Sequence, residues 1–240
     1  MPVTVVIMQP TFLPWLGYFE LMARADKFVF LDTVQFEKQS WQSRNRLKSV
    51  QGEPFWLTVP LAAHDLKTPI SQIRLAANWP QWRRKHLGSI RTNLGSTPFF
   101  QDIFPRIESW LETDFNRLVE LNIAGIRLFA ELLELTPQFF RTSELNFSGV
   151  KTEMLINLCR QLGATRYYSP LGSKEYMEEN LFASNEMELV YQTWPHPVYP
   201  QRGDPFVPHL AVIDALMNLG PAATRKLLFT AQPTLVAGPT

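Results

Sequence analysis

The chain has a single cysteine, Cys159, in 240 residues. No disulfide can form within it, and no cysteine-based zinc site can be built. A reducing, cytoplasmic setting is expected. Charge of one sign is also missing, since the formal net charge is +1 at pH 7. A DNA or RNA binder carries a basic stripe or a strong excess of Lys and Arg, so no nucleic-acid partner is expected. No apolar run approaches the roughly 18 residues of a membrane-spanning helix, so no membrane span is expected either. The opening residues 1–8 lack the basic segment and long apolar stretch of a signal peptide. Familiar catalytic signatures are absent: no GxxxxGK[ST] phosphate loop, no GxSxG elbow and no zincin histidine pair. There is no internal repeat or low-complexity segment, and no motif specifies a cofactor, a metal or an oligomeric state.

What is present is an ordinary globular composition, 45% hydrophobic and 19% charged, rich in Phe (17), Trp (7) and Pro (19). Aromatics fill cores and also line ligand clefts. Residues 3–8 (VTVVIM) read as a fully buried strand of a parallel sheet. Two prolines in residues 9–14 exclude a helix interior there. Tyr18, Leu21, Met22 and Ala25 then recur at helical spacing, and residues 27–31 (KFVFL) form a second buried strand ending in Asp32. This is a βαβ unit. A long polar and aromatic loop follows, residues 33–49. Residues 55–59 read as a strand, and 70–75 as a short edge strand. A helical stretch begins at Trp79, with Trp82, His86, Leu87, Ile90 and Leu94 near one face, and continues over 104–112 and 117–135. Residues 142–145 read as strand end or loop. An amphipathic helix over 151–162 closes on Gly163, and Cys159 inside it reads as a buried structural thiol. A strand follows at 166–169, a turn at 170–173, a helix start at 174–179, a strand at 188–193, a proline-rich loop at 196–208, a helix at 209–217 and a last helical turn from Pro221. The expected fold is α/β, a Rossmann-like and mostly parallel sheet with a helical middle segment. One domain is expected over residues 1–229, with 79–140 a helical insertion or subdomain and 230–240 a tail.

In such sheets ligands bind beyond the carboxyl ends of the strands. Four constellations fall there. The turn Gln9-Pro10-Thr11-Phe12-Leu13-Pro14 leads through Gly17 and Tyr18 into a helix, whose free N–H groups favour an anion. The loop after Asp32 gathers Gln35, Lys38, Trp41, Arg44, Asn45 and Arg46, a set suited to phosphate or carboxylate. Ser173 and Lys174 open a helix, either as a simple cap or beside a phosphate. His196, Tyr199 and Gln201 lie in the proline-rich loop; His209 and Asp214 are five residues apart on one expected helix and do not face each other. A plainer reading stands beside each: rigid turn, solvated loop, helix cap and core histidine. The expected cleft is cationic and aromatic-walled. Arg44 and Lys38 would hold phosphate or carboxylate there, and Asp32 or His196 would accept a proton.

The segments MQPTFLPWLGYFELMARADKFVFLDTVQFEKQSWQSRNRLK, FWLTVPL, GATRYYSPLGSKEYM, HPVYPQ and PFVPHLAVIDALMNLG together resemble the WbqC-like proteins. The resemblance samples nearly the whole chain. It implies a part in surface-polysaccharide (O-antigen) or modified-sugar biosynthesis, with glycine or acyl transfer as the implied activity. The opening unit also resembles, more distantly, the nucleotidylyltransferases of the HUP-like Rossmann group. Their H-x-G-H motif corresponds to Trp15-Leu16-Gly17-Tyr18 here. The glycine is retained and both histidines are replaced. Trp cannot supply a cation, and Tyr is neutral at pH 7.

The leading expectation is therefore a transferase that takes an acyl or aminoacyl group from a phosphate-bearing donor to a sugar amine, with a nucleotide sugar or acyl donor as small-molecule partner. A nucleotidylyltransferase with a remodelled motif and a non-catalytic binding module are the rivals.

Overall fold

The computed structural model describes residues 2–230. In chain order, β1 (Thr4–Met8) leads to α1 (Leu16–Ala23) and β2 (Lys27–Phe30). A hairpin follows, β3 (Arg44–Lys48) and β4 (Pro54–Thr58), then three helices, α2 (Trp79–Leu94), α3 (Phe100–Glu112) and α4 (Leu118–Leu132). Next are β5 (Gln138–Arg141), α5 (Lys151–Gln161), β6 (Arg166–Ser169), α6 (Glu179–Ser184), β7 (Glu188–Tyr191), α7 (Val212–Leu219) and α8 (Pro221–Leu227).

Five strands pair in the order β5-β2-β1-β6-β7, every pair parallel. This is a Rossmann-like α/β fold. The β-branched run of β1 is buried on both sides. Val6 enters one apolar cluster, shared with Phe28, Phe30 and the residues of α1 to α4 and α7. Val5 and Ile7 enter the other, shared with α5 and α6. That alternation is why the strand reads as continuous apolar sequence. Strand order reverses at β1: β2 lies on one side, and the late strand β6 on the other. The crevice above the β1–β6 pair is thus the topological switch point.

Several expectations need correction. Residues 44–48 lie in β3, not in a loop. The RNRLK run is too charged to announce a strand, yet Asn45 and Leu47 turn inward while Arg44 and Arg46 face out, and Lys48 is buried against the Gly203 and Pro205 carbonyls. Residues 70–75 are not an edge strand. Ile70–Gln72 is a 3-10 turn, and the rest makes only isolated bridges, Arg74 to Arg117 and Leu75 to Leu61. β5 was hidden because Phe139 and Phe140 sit between Gln138 and Arg141 with no apolar alternation. Lys174 lies in a 3-10 turn, Leu171–Tyr176, and α6 begins only at Glu179. His209 precedes α7, with φ 58. Residues 231–240 of the expected tail lie outside the described residues.

Candidate functional site

A cavity of about 740 Å³ opens at the switch point. Ile7 and Met8 of β1, Leu31 and Tyr167 make its apolar floor. The first turn of α5 enters from one side with Lys151, Thr152, Met154 and Leu155. The loops after β1 and β2 supply Gln9, Thr11, Glu37, Ser40, Trp41 and Gln42. The segment after β6 closes the far wall with Ser169, Ser173, Tyr176 and Glu178.

Side-chain amides hold the loop after β1 in place by its carbonyls. Leu13 takes a left-handed φ of 46, and Asn45 Nδ2 donates to the carbonyls of Phe12 and Leu13. Asn45 is 1% exposed, so its amide is spent on the turn. From α4, Asn122 Nδ2 donates to Pro10 O at 2.9 Å and to Gln42 O at 2.8 Å. The Phe12 N–H reaches Trp41 O at 2.9 Å. Gln42 is buried: its Nε2 donates to Gln9 Oε1 at 2.8 Å, and its Oε1 accepts the Glu37 N–H at 3.0 Å. Among the described residues no acceptor meets Gln9 Nε2, which remains a donor on the cleft wall.

The opposite wall is a chain of hydroxyls. Ser169 Oγ lies 2.7 Å from Ser173 Oγ and 3.4 Å from Tyr167 Oη, and Ser173 donates to Pro170 O at 2.8 Å. Burial raises the Tyr167 phenol, which stays protonated. Thr152 Oγ1 accepts the Glu178 N–H at 3.2 Å and so ties the segment to α5. Trp41 (45% exposed) and Tyr176 (70% exposed) stand at the rim. Burial first, and then the nearby Glu37 carboxylate, raise the Tyr176 phenol. The lining holds two carboxylates, Glu37 and Glu178, against one cation, Lys151. It is aromatic-walled but leans acidic.

Of the residues singled out from sequence, Gln9, Thr11, Trp41 and Ser173 line this cleft. Pro10 sits beneath it, held by Asn122. Tyr18 is buried in the core below, its hydroxyl donating to Gln9 O at 3.2 Å, and burial raises its phenol. Asp32 is fully enclosed: Arg141, Thr142 and Ser143 give it five hydrogen bonds of 2.8–3.1 Å. That carboxylate clamps β2 to β5 and has no free face for a substrate proton. Gln35 bridges to Pro69, and Lys38 is an exposed loop residue. Lys174 extends over the Tyr191 ring at 5.6 Å, outside the cleft lining.

Gly17 sits elsewhere, at the start of α1. A Cβ there would lie 2.1 Å from the Trp15 indole. The close approach that this glycine allows is taken by the chain's own ring. Trp15 stacks on His196 (5.8 Å, 10°) and meets the edge of His209 (4.8 Å). His196 Nδ1 lies 2.8 Å from Pro197 O, and Nε2 accepts the His209 N–H at 3.1 Å, which fixes the neutral tautomer. Burial, aided by His209, lowers its pKa to about 4. With both nitrogens engaged, His196 is a packing residue. Tyr199 donates to the buried Asp214 at 2.9 Å, and Gln201 pins the turn at Val207. Arg44 and Arg46 project from the hairpin beside Trp56 and Trp41.

Sequence reasoning missed Glu37, Ser40, Gln42, Lys151, Thr152 and Glu178. One signal was available. Gly149, at φ 86, and Lys151, at φ 52, open α5 as another junction between the sheet's carboxyl edge and a helix.

No helix of the described residues is long and apolar enough to cross a membrane. The chain is 29% identical over 232 residues to the uncharacterized protein Rv1507c of Mycobacterium tuberculosis, covering 95% of this chain and 99% of that protein. No solved structure matches it. The WbqC-like family description matches residues 9–226, nearly the whole of the framework just described. The chain belongs to the WbqC-like protein family.

Proposed function

We propose that the chain is a transferase of surface-polysaccharide or modified-sugar assembly, holding an amino sugar in the β1–β6 cleft and passing an acyl or aminoacyl group to its amine. The carrying observation is the make-up of the cleft: apolar floor, aromatic rim, fixed amides and hydroxyls, and two carboxylates. A sugar ring offers one apolar C–H face and a girdle of hydroxyls. Pockets with apolar walls and a few fixed polar groups suit such a ligand. Glu37 and Glu178 match an ammonium group on it, and Gln9 Nε2 and the Ser169–Ser173 pair match its hydroxyls.

The reaction balances with this chain's groups and an activated donor, a thioester or acyl phosphate. The neutral amine attacks the acyl carbonyl carbon and a C–N bond forms. The bond to the donor's sulfur or oxygen breaks, and its electron pair leaves with the thiolate or phosphate. One rim carboxylate, Glu37 or Glu178, takes the ammonium proton before attack, and the other takes the proton that the nitrogen sheds as the amide forms. Lys151, at the positive end of α5, faces the charge on the leaving group.

Nucleotidylyl transfer at the start of α1 has less support, because Trp15 fills the space above Gly17. A thermal-shift screen with amino sugars and their N-acetylated counterparts tests the binding half. A ligand at 100 times its dissociation constant adds roughly 2.7 kcal/mol of stability. Amino sugars are expected to stabilise and the N-acetylated forms to do so less. Mass spectrometry of the sugar after incubation with acyl thioester then reads the transfer. Binding without transfer from any acyl donor would favour a non-catalytic module, and pyrophosphate release with a nucleoside triphosphate would favour nucleotidylyl transfer.

A further inference from the structure

The outer face of the β3–β4 hairpin carries two arginines with no acid to meet them. Arg44 and Arg46 alternate with the buried Asn45 and Leu47, and so project from one face about 7 Å apart. Arg46 stands directly opposite Trp56 in the pairing. The Arg44 guanidinium lies 4.2 Å from the Trp56 ring centre, and that of Arg46 lies 5.8 Å from Trp56 and 5.9 Å from Trp41. The two indoles are 5.5 Å apart and each is 45% exposed. Among the described residues neither arginine makes a salt bridge, and the Nε of each is shielded from solvent with no acceptor. Arg141 and Arg166, also half-buried, each hold a carboxylate. Two like charges on one strand face repel each other. Indole faces attract the guanidinium groups but supply no counter-charge. The two guanidinium groups are thus left able to take an anion.

Trp41 joins this face to the cleft, since it lines the cavity and packs beside Trp56. We infer that the hairpin face is the nucleoside diphosphate subsite of the same site. The forked guanidinium groups of Arg44 and Arg46 take the diphosphate oxygens. An exposed indole, Trp56 first, offers its face to the base. A sugar on the distal phosphate passes Trp41 into the cleft. The substrate class is then a nucleotide-linked amino sugar. The sugar's place rests on the function proposed above; the diphosphate subsite is testable without it.

The full chain is titrated by calorimetry with uridine 5′-diphosphate, inorganic pyrophosphate and uridine at low salt. The diphosphate should bind, more weakly as salt rises. Arg44→Ala with Arg46→Ala should weaken it by about tenfold or more. Arg44→Lys with Arg46→Lys should restore part of the loss, because charge returns without the fork. This pair also guards against a fold defect in the alanine variant. Trp56→Leu should weaken uridine diphosphate and leave pyrophosphate unchanged. Failure of uridine diphosphate to bind, or indifference of its binding to both arginine variants, overturns the subsite. Pyrophosphate binding as tightly as uridine diphosphate, with Trp56→Leu silent, overturns the nucleoside and leaves a base-free diphosphate. Glu37→Gln should lower amino-sugar binding without affecting uridine diphosphate. If amino sugars fail to bind while the diphosphate results hold, the function proposed for the cleft fails and the subsite stands.

Discussion

The side-chain amide of Gln42 donates to that of Gln9 over 2.8 Å and fastens the loop after β2 to the loop after β1. Both loops line the cleft, so the bond sets the width of one wall. Gln42 is 1% exposed, and its other amide atom accepts the Glu37 N–H. Gln42→Ala leaves the Glu37 N–H and the Gln9 side-chain carbonyl without these partners. A loss of about 1–3 kcal/mol is expected from urea unfolding. Amino-sugar binding should fall further than that of a surface variant matched in stability, because Glu37 and Gln9 lose their fixed positions. Unchanged unfolding free energy would show that the pair does not order the loops.

Gly17 and Trp15 make a second testable pair. An Ala at a helix position is ordinarily favoured over Gly by about 1 kcal/mol. Here its Cβ would lie 2.1 Å from the indole, so Gly17→Ala must push Trp15 off α1 and out of its stack on His196. A net destabilisation of about 1–3 kcal/mol is expected. In a Trp15→Ala background the same change should become neutral or stabilising. A double-mutant cycle by denaturation measures this, and additivity of the two changes would contradict it.

Asp32 is expected to act on stability. Its Oδ2 receives two bonds from Arg141 and one from Ser143, while Oδ1 receives Thr142 and the Ser143 N–H. Asn in its place turns an NH2 toward the Arg141 guanidinium. A loss of about 3 kcal/mol is expected, with β5 loosened from β2. Hydrogen exchange at residues 138–141 should rise more than at β6. Full activity loss in Asp32→Asn with native stability would instead return this carboxylate to the chemistry.

The sheet was legible because its inner strands are apolar on both faces. VTVVIM and KFVFL permit little else, and the βαβ rule then points to the carboxyl edge. Gln9, Trp41 and Ser173 follow from that rule. The hairpin was not legible, because RNRLK has no apolar run. Its strand is made by pairing with residues 54–58 and by the buried amide of Asn45. Lys151 and Thr152 were hidden for another reason. The periodicity of α5 reports its core face, Leu155, Ile156, Leu158 and Cys159, and says nothing of where its first turn points. The glycine of the W-L-G-Y tetrapeptide was visible, but its partner was not: what fills the space above it is a ring two residues away.

Asp214 gives a pH dependence with a definite sign. It is 1% exposed in α7, and burial raises its pKa from 3.8 to about 6. The Tyr199 hydrogen bond, the Lys48 charge and Gln201 work against that rise and do not cancel it. The folded chain thus holds this proton more tightly than the unfolded chain. Its contribution to stability is complete below about pH 3.8 and is lost as pH rises through about 6. The gap is worth about 3 kcal/mol. Asp214→Asn keeps an acceptor for Tyr199 and cannot ionise. Its stability relative to the unaltered chain should therefore climb between about pH 4 and pH 6 and level off above. Urea unfolding of both proteins across that range measures the difference. A difference that stays flat would mean that Tyr199 and Lys48 outweigh burial at this carboxylate.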